Sequence, residues 1–153
     1  MSGEIKIMKI FTGNTFGKVH VLRIDRGEYL LENIENFIKS ENIRNAVILS
    51  AIGTLDYCVM HMVMTTTLPP VDNFVKWEDK PLEIASINGI IADGLPHLHM
   101  TVSNHEYAYA GHLEHGCRIL YLCEIVIAEM DGFDFHRIRN KNNILELTDI
   151  REI

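Results

Sequence analysis

Along most of this chain, apolar and polar residues alternate with a period of two rather than 3.6. Alternation at 4–11 (EIKIMKIF) and 18–25 (KVHVLRID) predicts two strands, with Gly13, Asn14 and Gly17 supplying the turn between them. The period changes clearly at 29–41. There Leu30, Leu31, Ile34, Phe37 and Ile38 share one stripe, with Glu32, Glu35 and Lys39 off it, which predicts an amphipathic helix. The apolar run 46–50 (AVILS) suits a buried strand, Gly53 marks a bend, and 55–65 reads as a long strand. Pro69 and Pro70 place a loop at 66–73. Strands are expected at 82–92 and 96–104, joined by a tight turn at Asp93-Gly94. The segment 117–130 (CRILYLCEIVIAEM) is apolar and rich in β-branched residues, which suits a central strand; periodicity alone leaves a second helix open. Asp131-Gly132 then turns the chain into a last strand or edge at 133–139, followed by a short tail.

These elements define an α+β domain with a mostly antiparallel, curled sheet and one or two flanking helices. A length of 153 residues and a hydrophobic fraction of 47% suit a single domain over 1–153 with its own core. The long strands carry more apolar residues than one helix covers. Either the sheet curls on itself or one face packs against another subunit, so a homo-oligomer is expected.

Charge narrows the partners. Lys and Arg total 14 against 21 Asp and Glu, a formal charge of −7. Nucleic-acid affinity rests on neutralised phosphates and needs a basic face. The longest basic stretch is the short segment 136–141, so the bare domain is expected to bind DNA weakly, if at all. No window supplies the roughly 18–20 apolar residues that cross a bilayer, and the first residues lack the pattern of a signal peptide. A cytoplasmic location without a membrane partner is the expectation. Cys58, Cys117 and Cys123 form no CxxC pair and sit among apolar residues, as reduced core side chains do.

The chemistry concentrates at 96–104. His97, His99, Thr101 and Ser103 fall on one face, and Leu98, Met100 and Val102 on the other. Two imidazoles about 6–7 Å apart along a strand can converge on one ion. A third ligand is expected from His112, thirteen residues past His99, on a strand returning antiparallel through a turn at 106–110. Gly111 would give the backbone room beside it. Three neutral imidazoles leave a fourth position open, the arrangement of reactive zinc sites. Zinc is the first expectation for this single divalent ion, with iron, nickel and copper also compatible with imidazole. His105 and His115 are rivals for the third place. His20 and His61 read as satisfied histidines within strands, and His136 as a surface residue.

Several segments taken together resemble the plants-and-prokaryotes conserved (PPC) domain family, over about 17–130. They are Val19 to Glu28, Val47 to Thr54 with its Ser-x-x-Gly, and Leu82-Glu83-Ile84-Ala85-Ser86-Ile87-Asn88-Gly89. Pro96-His97-Leu98-His99 and Gly111-His112-Leu113 with Gly116-Cys117 resemble the prokaryotic branch, whose histidines coordinate metal. The resemblance implies an α+β subunit, a homotrimer and a candidate DNA-binding or regulatory role. Plant members use an Arg-Gly-Arg-Pro hook in the minor groove, and this chain has none. A more distant similarity, to acetolactate decarboxylase, implies an alternative: a metal-dependent lyase- or hydrolase-type enzyme acting on a small anionic metabolite. An arginine would hold the anion and a carboxylate would move protons; Arg23, Glu28 and Glu124 are the candidates.

Overall fold

The computed structural model describes residues 8–13 and 15–152. Strand β1 (Thr15–Asp25) leads into helix α1 (Leu30–Ser40), followed by β2 (Ala46–Val63), β3 (Asp72–Ala92), β4 (Leu95–Ser103), β5 (Ala108–Leu113) and β6 (Arg118–Asp131). A separate hairpin of β7 (Phe135–Arg139) and β8 (Leu145–Asp149) closes the chain, with a 3-10 turn at Ile150–Glu152. The six-stranded sheet runs β1-β6-β2-β3-β4-β5, and all its pairings are antiparallel. The α+β expectation and the single clear helix therefore hold, and 117–130 is a strand.

The helix forms where its apolar stripe demands: Leu30, Leu31, Ile34 and Ile38 are buried. Its end is a Schellman motif. Asn42 takes the left-handed conformation (φ 54), its N–H donates to the Lys39 carbonyl, and the Ile43 N–H donates to the Ile38 carbonyl. Ile38 and Ile43 are both buried, the apolar contact that accompanies this cap. The helix packs into a core that includes Ile24, Ile48, Cys123, Ile125 and Ile127, and the same cluster continues through Leu55, Met60, Ile87, Leu98, Met100 and Val102. All three cysteines are free and buried.

Closure positions the site. Strand β2 pairs with β3 on one edge. On the other edge it pairs first with β6, as far as Tyr57↔Arg118, and then with β5 at Met60↔Leu113 and His61↔His112. Since β3, β4 and β5 follow one another in the sheet, β2 through β5 form a closed ring of strands. The long strands bend to do this through irregularities, including one between Leu55 and Tyr57, opposite a stretch where Asp79 has φ 50. The β3–β4 hairpin follows its sequence signal. Asp93 (φ 53) and Gly94 (φ 75) are both left-handed, as a two-residue primed turn requires.

Several expectations change. Of the strand expected at 4–11, residues 4–7 lie outside the described residues and 8–11 carry no strand. Gly17 does not turn the chain but lies inside β1, where the register shifts between Phe16 and Val19. Gly53 sits beside an irregularity of β2 against β6, between Gly53 and Leu55, in keeping with the expected bend, and it also admits the neighbouring strand, for a Cβ there would lie 2.6 Å from the Leu122 carbonyl oxygen. Strand β3 starts ten residues before 82, at Asp72, because pairing with the far half of β2 overrides the strand-poor segment Glu78-Asp79-Lys80-Pro81. The expected tail contains β8, whose partner β7 supplies hydrogen bonds that no local pattern announces.

Candidate metal centre

The β4–β5 connection is set by Asn104, whose side-chain oxygen accepts from the N–H groups of Glu106 and Tyr107. That turn fixes the register His99↔His112, and ring closure fixes His61↔His112. Three histidines thus form a row across β2, β5 and β4, with His97 two residues along β4 from His99. Leu98, Met100 and Val102 are buried beneath them, which anchors the strand.

The ring centres of His97 and His99 are 5.4 Å apart, those of His97 and His112 5.2 Å, and those of His99 and His112 5.5 Å. Three imidazoles on a tetrahedral ion have a comparable spacing. With metal–nitrogen bonds of about 2.0–2.1 Å and a ring centre about 1.15 Å behind its nitrogen, the centres lie roughly 5.2 Å apart. The ring centres of the predicted trio lie near that spacing.

A second group overlaps it. His61 stacks on His112 with ring centres 4.5 Å apart, and the donor atoms of His61, His112 and Glu114 all lie within 4.8 Å of one another. Glu114 Oε1 sits 2.6 Å from His61 Nδ1 and 2.8 Å from His112 Nδ1. A carboxylate accepts, so both Nδ1 atoms donate to it, and in a neutral ring so oriented Nε2 keeps the lone pair. This is how a carboxylate commonly orients a metal-ligating imidazole. Sequence reading treated His61 as a satisfied strand histidine. It is hydrogen-bonded, but within the cluster. Glu114 was missed, although His112-Leu113-Glu114 places it on the same strand face.

Electrostatics favour neutral rings at His97 and His99. His97 is pushed down to about 4, first by desolvation, then by the charge of Arg137 and by the neighbouring imidazoles. His99 is also lowered, by desolvation and by His112 and His61. Neutral imidazole is the ligating form, so no proton has to leave His97 near neutral pH. Beside the rings a cleft of about 350 Å³ is bordered by His61, Asn88, His99, Thr101 and His112.

Two glycines let the strands approach. Gly89 has φ +144, and a Cβ there would lie 2.1 Å from the His97 carbonyl oxygen. At Gly111 a Cβ would lie 2.7 Å from the His61 carbonyl oxygen, so the room expected there is taken by β2.

The other candidates lie elsewhere. Arg23 pairs with Asp25 on the exposed edge strand β1, Glu28 accepts from the Asp25 N–H, and Glu124 is exposed on β6 opposite Arg23. The fold brings none of the three to the histidines. His105 is exposed, His115 pairs with Glu35, and His20 pairs with Glu129. His136 is partly buried between Asp93 and Asp134 rather than a free surface residue.

With this fold and site in view, the chain belongs to the Plants and Prokaryotes Conserved (PCC) domain family, whose model matches residues 12–131. Bifunctional protein GlmU of Synechococcus sp. (strain JA-2-3B'a(2-13)) is 28% identical over 121 residues, covering 78% of this chain; the match spans only 18% of that relative's length. A metal-containing protein from Archaeoglobus fulgidus is 27% identical, with TM-score 0.73 over 90% of this chain and 96% of its own. The PPC protein of Pyrococcus horikoshii shares the fold at 24% identity and TM-score 0.78, over 92% and 99% of the two chains. A candidate DNA-binding protein from Bacteroides thetaiotaomicron does so at 18% identity and TM-score 0.73, over 88% and 96%. Among the described residues no helix is long and apolar enough to cross a membrane.

Proposed function

We propose that this chain is a metal-binding PPC-domain protein that holds one divalent ion, zinc in the first instance, through His97, His99 and His112. The observation carrying this reading is the triangle of ring centres at 5.2–5.5 Å. The hydrogen bond from His112 Nδ1 to Glu114 supports it by leaving Nε2 as the donor. An ion between His61, His112 and Glu114 would instead have to displace two short hydrogen bonds already made. Bound at three imidazoles, the ion supplies a Lewis acid with one position open to water or an oxygen of a small anion. The cleft beside His99 and His112 gives such a ligand room.

Elemental analysis of purified protein, with zinc titrations of His97→Ala, His99→Ala, His112→Ala and His61→Ala, tests this. The first three are expected to lose the ion and His61→Ala to keep it. Retention of wild-type affinity in any of the three would overturn the assignment.

A DNA-associated role is the second reading, favoured by the names of structural relatives. The charge of −7 requires a partner or an assembled basic surface to supply phosphate contacts. Absence of any salt-dependent duplex shift at low ionic strength would end the direct-binding version.

The functional unit is proposed to be a homotrimer. On β1, β2 and β6, Val19, Val21, Leu49, Ile52 and Leu122 are exposed, an apolar face suited to a second copy.

A further inference from the structure

The row of side chains that crosses the histidine site changes chemistry from one end to the other. Register aligns Asn88 with His99, His99 with His112, His112 with His61, and His61 with Phe74. Side chains aligned in this way share a face, with Cβ atoms about 4.5–5.5 Å apart. The row therefore starts at an amide, passes through three imidazoles and ends at an aromatic ring, whose centre lies 5.3 Å from that of His61. The neighbouring row repeats the order. Ser86 is aligned with Thr101 and Thr101 with Ala110, while Val63 follows His61 on the same face of β2. Asn88, Thr101, Ala110 and Val63 all border the cleft of about 350 Å³ beside the rings.

The polar end has hydrogen-bonding capacity to spare. Asn88 donates one amide hydrogen to Ser86 Oγ at 3.3 Å. Among the described residues its second amide hydrogen has no acceptor, and Thr101 Oγ1 makes no hydrogen bond. At the other end Val63 and Phe74 are exposed, which leaves apolar surface for a ligand to cover. No lysine, arginine, aspartate or glutamate borders the cleft among the described residues. A divalent ion at the three imidazoles, set against the Glu114 carboxylate bonded to His61 and His112, leaves one positive charge. One negative charge on a ligand meets it, and a second would find no counterpart. The volume lies at the low end of the roughly 300–1,000 Å³ of small-molecule sites, which calls for a short chain.

We propose that the cleft takes a small aliphatic monocarboxylate. Its head lies between the ion and the donors Asn88 Nδ2 and Thr101 Oγ1, and its short chain covers Val63 and Phe74. The contact with the ion rests on the metal reading above; the division of the cleft into a polar and an apolar end does not.

The test titrates acetate, butyrate, butyramide and succinate into zinc-loaded protein, read by nuclear magnetic resonance shifts, with zinc content measured on the same samples. Each buried methylene contributes about fourfold, so butyrate should bind about tenfold tighter than acetate. Butyramide has the same chain without the charge, and succinate has the same length with a second charge at the apolar end. Both should bind about tenfold more weakly than butyrate. Asn88→Ala should weaken acetate and butyrate alike, by about tenfold for one hydrogen bond to a charged group. The double variant Val63→Ser, Phe74→Ser should bring butyrate down to acetate and leave acetate within about twofold of wild type. All three replaced side chains are exposed, and the wild-type series decides the ligand class without any variant. The proposal is overturned if zinc-loaded wild type does not bind butyrate, if acetate, butyramide or succinate binds as tightly, or if Asn88→Ala or the double variant binds the series as wild type does. Zinc present without butyrate binding sinks this proposal alone, whereas wild type that takes up no zinc sinks the metal reading and this one with it.

Discussion

Replacing Glu114 by Gln isolates the part of the candidate metal centre that sequence reading missed. One carboxylate oxygen accepts from two imidazoles, at 2.6 Å and 2.8 Å, with the carboxylate only 23% exposed. Glutamine keeps an acceptor of the same shape but removes the charge. Hydrogen bonds to a charged group contribute about 1.5–3 kcal/mol against about 0.5–1.5 kcal/mol for neutral pairs, so roughly 1–1.5 kcal/mol is lost for the bond to His112. That bond holds the ring tautomer and raises its basicity, and the loss corresponds to about tenfold in zinc affinity, the lower end of the 10–100-fold range for such orienting groups. Glu114→Ala, which removes the acceptor altogether, should approach about 100-fold. Competition with a chromophoric chelator at neutral pH reads both. Unchanged affinity in Glu114→Ala would refute the orienting role. A loss far beyond 100-fold in Glu114→Gln would refute it from the other side, making Glu114 a ligand in the group with His61 and His112.

Three further outcomes follow from the same geometry. Gly89→Ala places a Cβ against the His97 carbonyl at an unfavourable φ, and should cost roughly 2–4 kcal/mol in urea unfolding; a loss below about 0.5 kcal/mol would contradict the close approach. In metal-free protein, His97 binds its proton near 4 when folded but near its ordinary value of 6.5 when unfolded. Between those values the unfolded state binds more protons, so stability falls as pH drops from about 6.5 toward 4, and this group contributes no pH dependence above 7. His97→Gln should flatten that slope in urea melts run across the window; an unaltered slope would assign the dependence elsewhere. On the outer face, Val21 is 74% exposed, and Val21→Asp should shift the mass by light scattering from an assembly to a single chain without changing the far-ultraviolet spectrum, whereas an unchanged assembly would remove this face from the interface.

Much of the candidate site is visible in the residues at 96–104. Strict alternation puts His97 and His99 on one face whatever the rest of the chain does, because successive side chains of a strand point to opposite sides. Asp93-Gly94 fixes the preceding hairpin locally, since both residues adopt a left-handed backbone at low cost. His61 gives no such sign. It lies fifty-one residues before His112 in the sequence and meets it only because β2 outruns β6 and closes on β5.

The sequence by itself determined which residues face which way: the helix stripe, the buried side of β4, and the paired imidazoles opposite it. These follow from periods of 3.6 and 2 that each short segment carries alone. The tertiary structure decided which faces meet, how far β3 extends, and which distant histidine joins the cluster. Register, ring closure and the docking of the last hairpin are settled by burial and hydrogen bonds between distant segments, and no local pattern encodes that competition.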